Sequence, residues 1–276
     1  MKKINWRKQI IGNSVVLAVV VALIGLIWFR ASANQDTWAK TTADKTVVVG
    51  LDDTYVPMGF RDKNGKLVGY DVDLARATFK KLGLKVKFQP IDWSMKETEL
   101  KTGHIDMIWN GYTITAQRAK KVAFSTPYHK DRQVLVSMVF SQIKQTSDMK
   151  GLTLGLQTGS AGASEYNQYK SVLKDQVKDA VQYDTFDKAL NDLQVGRIDA
   201  VLIDSDYAGY YVSHEKNPSD FKITTIKEFP QDEYGVGFRK GDATLRAKVN
   251  KQLAKFQKDG TIDDISKKYF GTKNND

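Results

Sequence analysis

Leu100-x-x-Gly103-x-Ile105-Asp106 returns 93 residues later as Leu193-x-x-Gly196-x-Ile198-Asp199. Each copy reads as the end of a helix, a glycine stop and a buried strand. A second pair, Val47-x-x-Gly50-Leu51 and Leu152-x-x-Gly155-Leu156, falls in the same order and reads as a strand running into a polar loop. Two matched pieces in one order favour two lobes built alike, although each match is short enough to arise by chance.

The elements between them support an α/β fold. Thr46 to Gly50 is a β-branched run, and Asn64-Gly65 supplies the positive φ angles of a hairpin turn. Asp71 is expected to cap a helix in which Val72, Ala75, Phe79 and Leu82 recur at helical spacing before Gly83 ends it. Leu84 to Phe88 alternates as a strand, Ser94 opens a helix that stops at Gly103, and a strand then leads into Asn110. Strands alternating with helices predict a largely parallel sheet covered on both faces. Further on, a strand over Gly235–Arg239 and a long helix over Thr244–Lys258, with Leu245, Val249, Leu253 and Phe256 on one side, are expected.

In such sheets ligands collect at the carboxyl ends of the strands. Asn110-Gly-Tyr-Thr-Ile-Thr-Ala-Gln-Arg118 lies there. Gly111 permits close approach of a ligand, Thr113 and Thr115 bring hydroxyls, and Arg118 brings a planar fork that matches a carboxylate. Taken alone, Thr-x-Thr-x-x-Arg is as easily a capped turn with a solvated arginine. Continuing the 93-residue offset places Asp204 opposite Gly111, so an acid stands where the other lobe has its clamp. Gln157-Thr-Gly-Ser-Ala-Gly162 is a small-residue loop before a helix, a place where N–H groups can hold an anion. Its glycines match neither a dinucleotide fingerprint nor a phosphate loop, so no nucleotide cofactor is expected.

Composition removes several classes of chemistry. The chain has no cysteine, which excludes disulfides, thiolate metal sites and a lipid-modified cysteine. Three dispersed histidines, His104, His129 and His214, lack metal-ligand spacing, and no metal is expected. Of the net charge of +10, half comes from Lys2, Lys3, Arg7, Lys8 and Arg30, where no acid occurs. The remaining basic pairs mingle with acids and have no run of aromatics, so nucleic-acid binding is not expected.

Those five basic residues belong to a leader over 1–33. Its apolar stretch Ile10–Phe29 is long enough at about 20 residues to span a bilayer, and Ala31-Ser-Ala33 has the small-x-small pattern of a cleavage site. Either a cleaved signal or a retained anchor fits, and both export the rest of the chain. Residues 34–45 are polar and read as a tether.

Five motifs in order carry a family resemblance across 46–271: Gly69-Tyr-Asp-Val-Asp-Leu-Ala75, Gly111-x-Thr-Ile-Thr-x-x-Arg118, Val122-x-Phe-Ser-x-Pro-Tyr128, Asp199-Ala-Val-x-x-Asp204 and Lys267-Lys-Tyr-Phe-Gly271. The sequence resembles the solute-binding proteins of polar amino-acid ABC transporters, among them the glutamine, histidine and lysine/arginine/ornithine binding proteins. The resemblance implies two similar α/β lobes of the periplasmic binding protein type II, closing on a ligand about a two-strand hinge. Lobe 1 would comprise 46–127 plus 235–271, lobe 2 133–230, and the crossovers 128–132 and 231–234. It also implies that Arg118 and Thr113, with N–H groups near Ser160 and Ala161, hold an α-carboxylate. Asp204 and the Gly111 carbonyl would take the α-ammonium. Asp52, Tyr55, Trp93, Asn110 and Gln157 would line the side-chain pocket, with Tyr55 and Trp93 sandwiching the ligand and Asp52 meeting an amide or cation at its end. Ala161 and Asn110 depart from common residues of the family, and Gln157 stands where relatives vary with their ligand, which leaves the cargo's identity open, glutamine and basic amino acids included.

The implied function is a monomeric, non-enzymatic, extracytoplasmic receptor at the outer face of the cell membrane that delivers a polar L-amino acid to an ABC permease. Two rivals share the fold. One is an extracytoplasmic dehydratase of a cyclic amino-acid precursor, for which Asp52-Asp53 could be imagined as acid and base. The other is a ligand-sensing partner of a signalling receptor.

Overall fold

The computed structural model describes residues 36–271 together with Val20. The leader reading of 1–33, Val20 apart, lies outside the described residues, as does the start of the tether. From Asp36 onward the expected tether is a docked element. Trp38–Asp44 is helical, and the Thr37 N–H and hydroxyl both donate to Asp242 Oδ1, at 2.9 and 2.7 Å. Polar residues here find fixed partners, which composition alone does not disclose.

The strands in chain order are β1 Thr46–Leu51, β2 Thr54–Tyr55, β3 Gly59–Arg61, β4 Leu67–Val68, β5 Lys85–Pro90, β6 Met107–Ile108, β7 Ala123–Phe124, β8 His129–Asp131, β9 Gln133–Met138, β10 Thr153–Gln157, β11 Asp179–Tyr183, β12 Ala200–Asp204, β13 Phe221–Thr225, β14 Asp232–Tyr234 and β15 Gly237–Phe238. They form two five-stranded sheets of one design. The first runs β5-β1-β6-β15-β7 and the second β11-β10-β12-β9-β13. In each, the first three strands are parallel and the last two antiparallel to their neighbours. The fourth strand of each sheet arrives directly from the other lobe. β9 follows the outward crossover β8, and β15 follows the return crossover β14. β8 and β14 pair antiparallel, with Asp131 opposite Asp232 and His129 opposite Tyr234, as a two-stranded hinge.

The repeated motifs explain why the lobes match. Gly103 and Gly196 end their helices at φ 83° and 72°, a conformation that glycine adopts without strain. Ile105 and Ile198 are buried, and each packs on the glycine of the other motif. A Cβ on Gly50 would come 2.4 Å from Ile105 Cδ1, and one on Gly155 2.6 Å from Ile198 Cδ1. Asp106 then accepts from Val48 N at 2.9 Å and Asp199 from Thr153 N at 2.7 Å, locking the start of each first strand. One packing solution is written twice.

The helix over Tyr70–Lys81 buries Val72, Ala75 and Phe79 as its periodicity predicts, but Asp71 does not cap it. The cap position is Gly69, and Asp71 sits inside the first turn, fully buried. Its carboxylate is directed elsewhere.

Candidate ligand site between the lobes

Strand β6 ends at Ile108, and the chain turns through Asn110 to Thr113 before the helix Ala116–Lys121. Gly111 takes φ 54°, and a Cβ there would meet Tyr55 Cε1 at 2.8 Å. The Gly111 N–H donates to Asp71 Oδ2 at 2.6 Å, so the buried Asp71 fixes the turn. Burial raises the Asp71 pKa to about 7 against the opposing pull of that N–H. Thr115 caps the next helix by accepting from Arg118 N at 3.1 Å. Arg118 is then carried back over the turn. Its Nη1 donates to the Thr113 carbonyl at 2.9 Å, and its guanidinium lies 4.7 Å from the centre of the Tyr112 ring. Arg118 is only 6% exposed, so this cation faces the cleft and not open water.

Lobe 2 supplies the opposing wall. Gln157 closes β10, Gly159 turns at φ 76°, and Ser160 caps the helix Ala161–Gln168 by accepting from Ala163 N at 3.0 Å. Asp204 closes β12. Its Oδ1 accepts from Gln133 Nε2 at 2.9 Å and from Tyr234 Oη at 3.1 Å. Burial raises the Asp204 pKa, and the bonds from Gln133, Tyr55 and Tyr234 counter it. Tyr55 Oη is 3.4 Å from Tyr234 Oη, which links the first loop of lobe 1 to the hinge.

A small cavity lies between these walls. Its lining is Tyr55, Trp93, Gly111, Thr113, Arg118, Gln157, Ser160, Ala161 and Asp204, nine of the eleven residues singled out from sequence. The other two stand one layer back. Asn110 Oδ1 accepts from Asp52 N at 3.0 Å and ties the two loops together. Asp52 Oδ1 accepts from the Thr54 N–H and hydroxyl at 2.9 and 2.7 Å, and its Oδ2 accepts from Gln157 Nε2 at 3.0 Å. Asp52 therefore holds a neighbour of the cavity instead of lining it. Burial raises its pKa, with Thr54 opposing. Trp93 meets Tyr112 edge to face at 5.8 Å, and Tyr55 packs on Tyr207 at 5.4 Å, so both aromatics are braced from behind.

Three groups near the site escape sequence reading. Lys96 is 2% exposed and donates to the Trp93 carbonyl and, across the cleft, to the Gly159 carbonyl. In Lys-Glu-Thr-Glu-Leu-Lys it reads as one charge of a solvated helix. Gln133 Nε2 spans Asp204 and, at 3.2 Å, Asp232 Oδ2. Tyr234 Oη stands within hydrogen-bonding reach of both Asp131 and Asp204, so its single proton is divided between two carboxylates. Glu165 and Asp232 share a hydrogen bond behind Asp204, and burial followed by neighbouring carboxylates raises both pKa values. Among the described residues no group of three or more His, Cys, Asp or Glu side chains is arranged to hold a metal. No described helix is long and apolar enough to cross a membrane.

Residues 47–272 match the family of bacterial extracellular solute-binding proteins, family 3. The chain belongs to that family. Among curated relatives of this family 3 protein, the L-cystine-binding protein TcyJ of Escherichia coli is 34% identical over 95% of this chain and 96% of its own. The lysine/arginine/ornithine-binding periplasmic protein of Escherichia coli is also 34% identical, over 82% of this chain and 88% of its own. An ABC uptake transporter substrate-binding protein from Streptococcus pneumoniae, solved with bound histidine, superposes with a TM-score of 0.84 at 45% identity. That match covers 86% of this chain and 97% of the other. These relatives carry the names of binding proteins, and the two-lobed type II architecture is theirs too.

Proposed function

We propose that this chain captures a polar L-amino acid between its lobes and delivers it, from the outer face of the cell membrane, to an ABC permease. The observation that carries the reading is that one small cavity is lined by Arg118 from one lobe and Asp204 from the other. An α-amino acid carries one charge of each sign at its reacting end, so neither lobe alone satisfies it. Contacts divided in this way favour the closed state over the open one, the condition for a ligand to drive closure.

In this reading Arg118, Thr113 and the N–H groups at Ser160 and Ala161 take the α-carboxylate, and Asp204 with the Gly111 carbonyl takes the α-ammonium. Tyr55 and Trp93 flank the side chain. The lobes are 46–127 with 235–271 and 133–230, turning about 128–132 and 231–234, and the leader either anchors the protein or is removed. Binding is favoured over turnover because Asp204 is the one carboxylate among the lining residues, and its Oδ1 is already held by Gln133 and Tyr234.

The test is thermal unfolding of ligand-free protein against the twenty amino acids. A ligand at 1,000 times its dissociation constant adds about 4 kcal/mol of stability. Stabilisation by one or a few polar amino acids, lost in Arg118→Ala, is expected. No stabilisation by any of them, or turnover of a cyclohexadienyl acid, would replace the receptor reading.

A further inference from the structure

Gln157 is 1% exposed and lines the cavity. Its amide orientation is forced by its neighbours. Nε2 lies 3.0 Å from Asp52 Oδ2 and 3.0 Å from the Asp184 carbonyl. A carbonyl only accepts, and a carboxylate accepts in its ionised form, so both positions call for the donor end of the amide. Oε1 is left as a buried acceptor with no hydrogen-bond partner among the described residues. A buried polar atom without a partner forfeits its interaction with water and gains nothing in return. The charge nearby has the same sign. Asp52 stands behind the amide, and the Asp187 carboxylate is close enough to push the Asp52 pKa further upward.

We infer that Gln157 Oε1 is the selecting acceptor of this site, and that the cargo is an L-amino acid whose side chain ends in an N–H donor: an amide, an imidazole, a guanidinium or an ammonium. The inference rests on the receptor reading and narrows it. Asp52 does not touch the side chain of the cargo, as the family resemblance implies it would. It acts through Gln157, holding Nε2 and so presenting Oε1. Acidic side chains are rejected by the acceptor and by the two carboxylates behind it. Apolar side chains leave Oε1 unpaired.

Calorimetric titration of the purified protein with glutamine, histidine, arginine, methionine and glutamate tests this. Methionine and glutamate match glutamine in length without offering an N–H. At least one donor ligand is expected to bind about tenfold or more tighter than methionine, with glutamate weaker still, since an unmet buried acceptor carries a penalty of that order. In Gln157→Leu that preference should collapse toward equality. Gln157→Glu, with an acceptor on both branches, should favour arginine over glutamine. Far-UV circular dichroism and the melting temperature establish that each variant is folded, and Asp52→Asn supplies a second route, since its amide can turn Gln157 over. Amino acids that bind without regard to a side-chain donor, or methionine or glutamate binding best, would overturn the inference while leaving the receptor in place. Binding of none of the five would remove both.

Discussion

Lys96 Nζ in one lobe and Arg118 Nη2 in the same lobe converge on a single carbonyl of the other, Gly159 O, at 2.9 and 3.0 Å. Two cations meeting at one neutral oxygen are not a salt bridge, and the arrangement makes closure sensitive to charge. Burial, and then the charge of Arg118, lowers the Lys96 pKa to about 7, while Glu97 partly offsets this. Opening the cleft returns Lys96 to water and to a pKa nearer the ordinary lysine range, about 10.4. Closure then releases a proton at any pH between the two values. Ligand affinity should therefore rise from pH 6 to pH 8.5, by less than tenfold per pH unit, the limit for one proton. Titrations in buffers of different ionisation enthalpy should detect the released proton at pH 8. Lys96→Met should flatten the profile, and an unchanged slope would remove Lys96 as its cause.

Arg118 carries the reading of the site most directly. Removing it in Arg118→Ala deprives the Thr113 and Gly159 carbonyls of a donor and, in the proposed reading, leaves the ligand's carboxylate unpaired. The expected loss of binding is about 2–5 kcal/mol, measured by titration with whichever amino acid stabilises the wild type. Arg118→Lys should recover only part of it, because an ammonium cannot serve Thr113 O, Gly159 O and a ligand together with the geometry of a fork.

Asp71 gives a prediction of opposite character. Its pKa of about 7 in the folded protein exceeds the unfolded value near 3.9, so the unfolded chain binds fewer protons between those values. Stability is thus fully present below about pH 4 and falls as pH rises through 7, by up to about 3–4 kcal/mol. Asp71→Asn keeps an acceptor for Gly111 N–H and cannot ionise. Urea unfolding from pH 4 to pH 8 should show this variant gaining on the wild type as pH increases. Asp71→Ala should lose about 1–3 kcal/mol, because it strands the Gly111 N–H.

Much of this architecture was legible because it is repeated. The Leu-x-x-Gly-x-Ile-Asp motif by itself favours two like lobes, and Gly50 against Ile105 and Gly155 against Ile198 show why both glycines and both isoleucines are needed. Of the nine lining residues, Gly111, Thr113, Arg118 and Asp204 belong to the motifs that carry the resemblance, which sit at strand ends where the fold leaves a cleft, and the other five follow from what the resemblance implies. What stayed hidden depends on partners distant in sequence. Lys96 has the composition of a solvated helix face and is buried only because Gly159 crosses to it. Asp71 looked like a cap and is a brace for Gly111, 40 residues on. Asp52, expected to meet the end of the cargo, stands one layer behind Gln157, since nothing local reveals that Thr54 and Gln157 occupy both its oxygens.

The docked N-terminal segment yields a last prediction. Asp242 is nearly inaccessible, and its Oδ2 lies 2.8 Å from Arg239 Nε, while its Oδ1 depends on the Thr37 N–H and hydroxyl. Arg239 reaches Thr37 Oγ1 too, at 3.3 Å, and Asp36 Oδ2 accepts from Thr244 N at 2.8 Å. Lys248 lies 4.6 Å from the Trp38 ring centre. Residues 36–45 are therefore part of lobe 1 in energetic terms. A chain beginning at Thr46 strips both donors from a buried carboxylate oxygen, at a cost of about 1–3 kcal/mol. For a protein of this size that lowers the melting temperature by about 2–4 °C per kcal/mol. Thr37→Ala, which keeps the N–H, should lose roughly half as much, and Asp242→Asn in the shortened chain should recover only part of the loss because Arg239 gives up one of its two carboxylate partners and keeps Asp106. Equal melting temperatures for chains beginning at Asp36 and Thr46 would show that the segment rests on the lobe without stabilising it. Ligand affinity should be the same in both, since none of these residues reaches the cavity between the lobes.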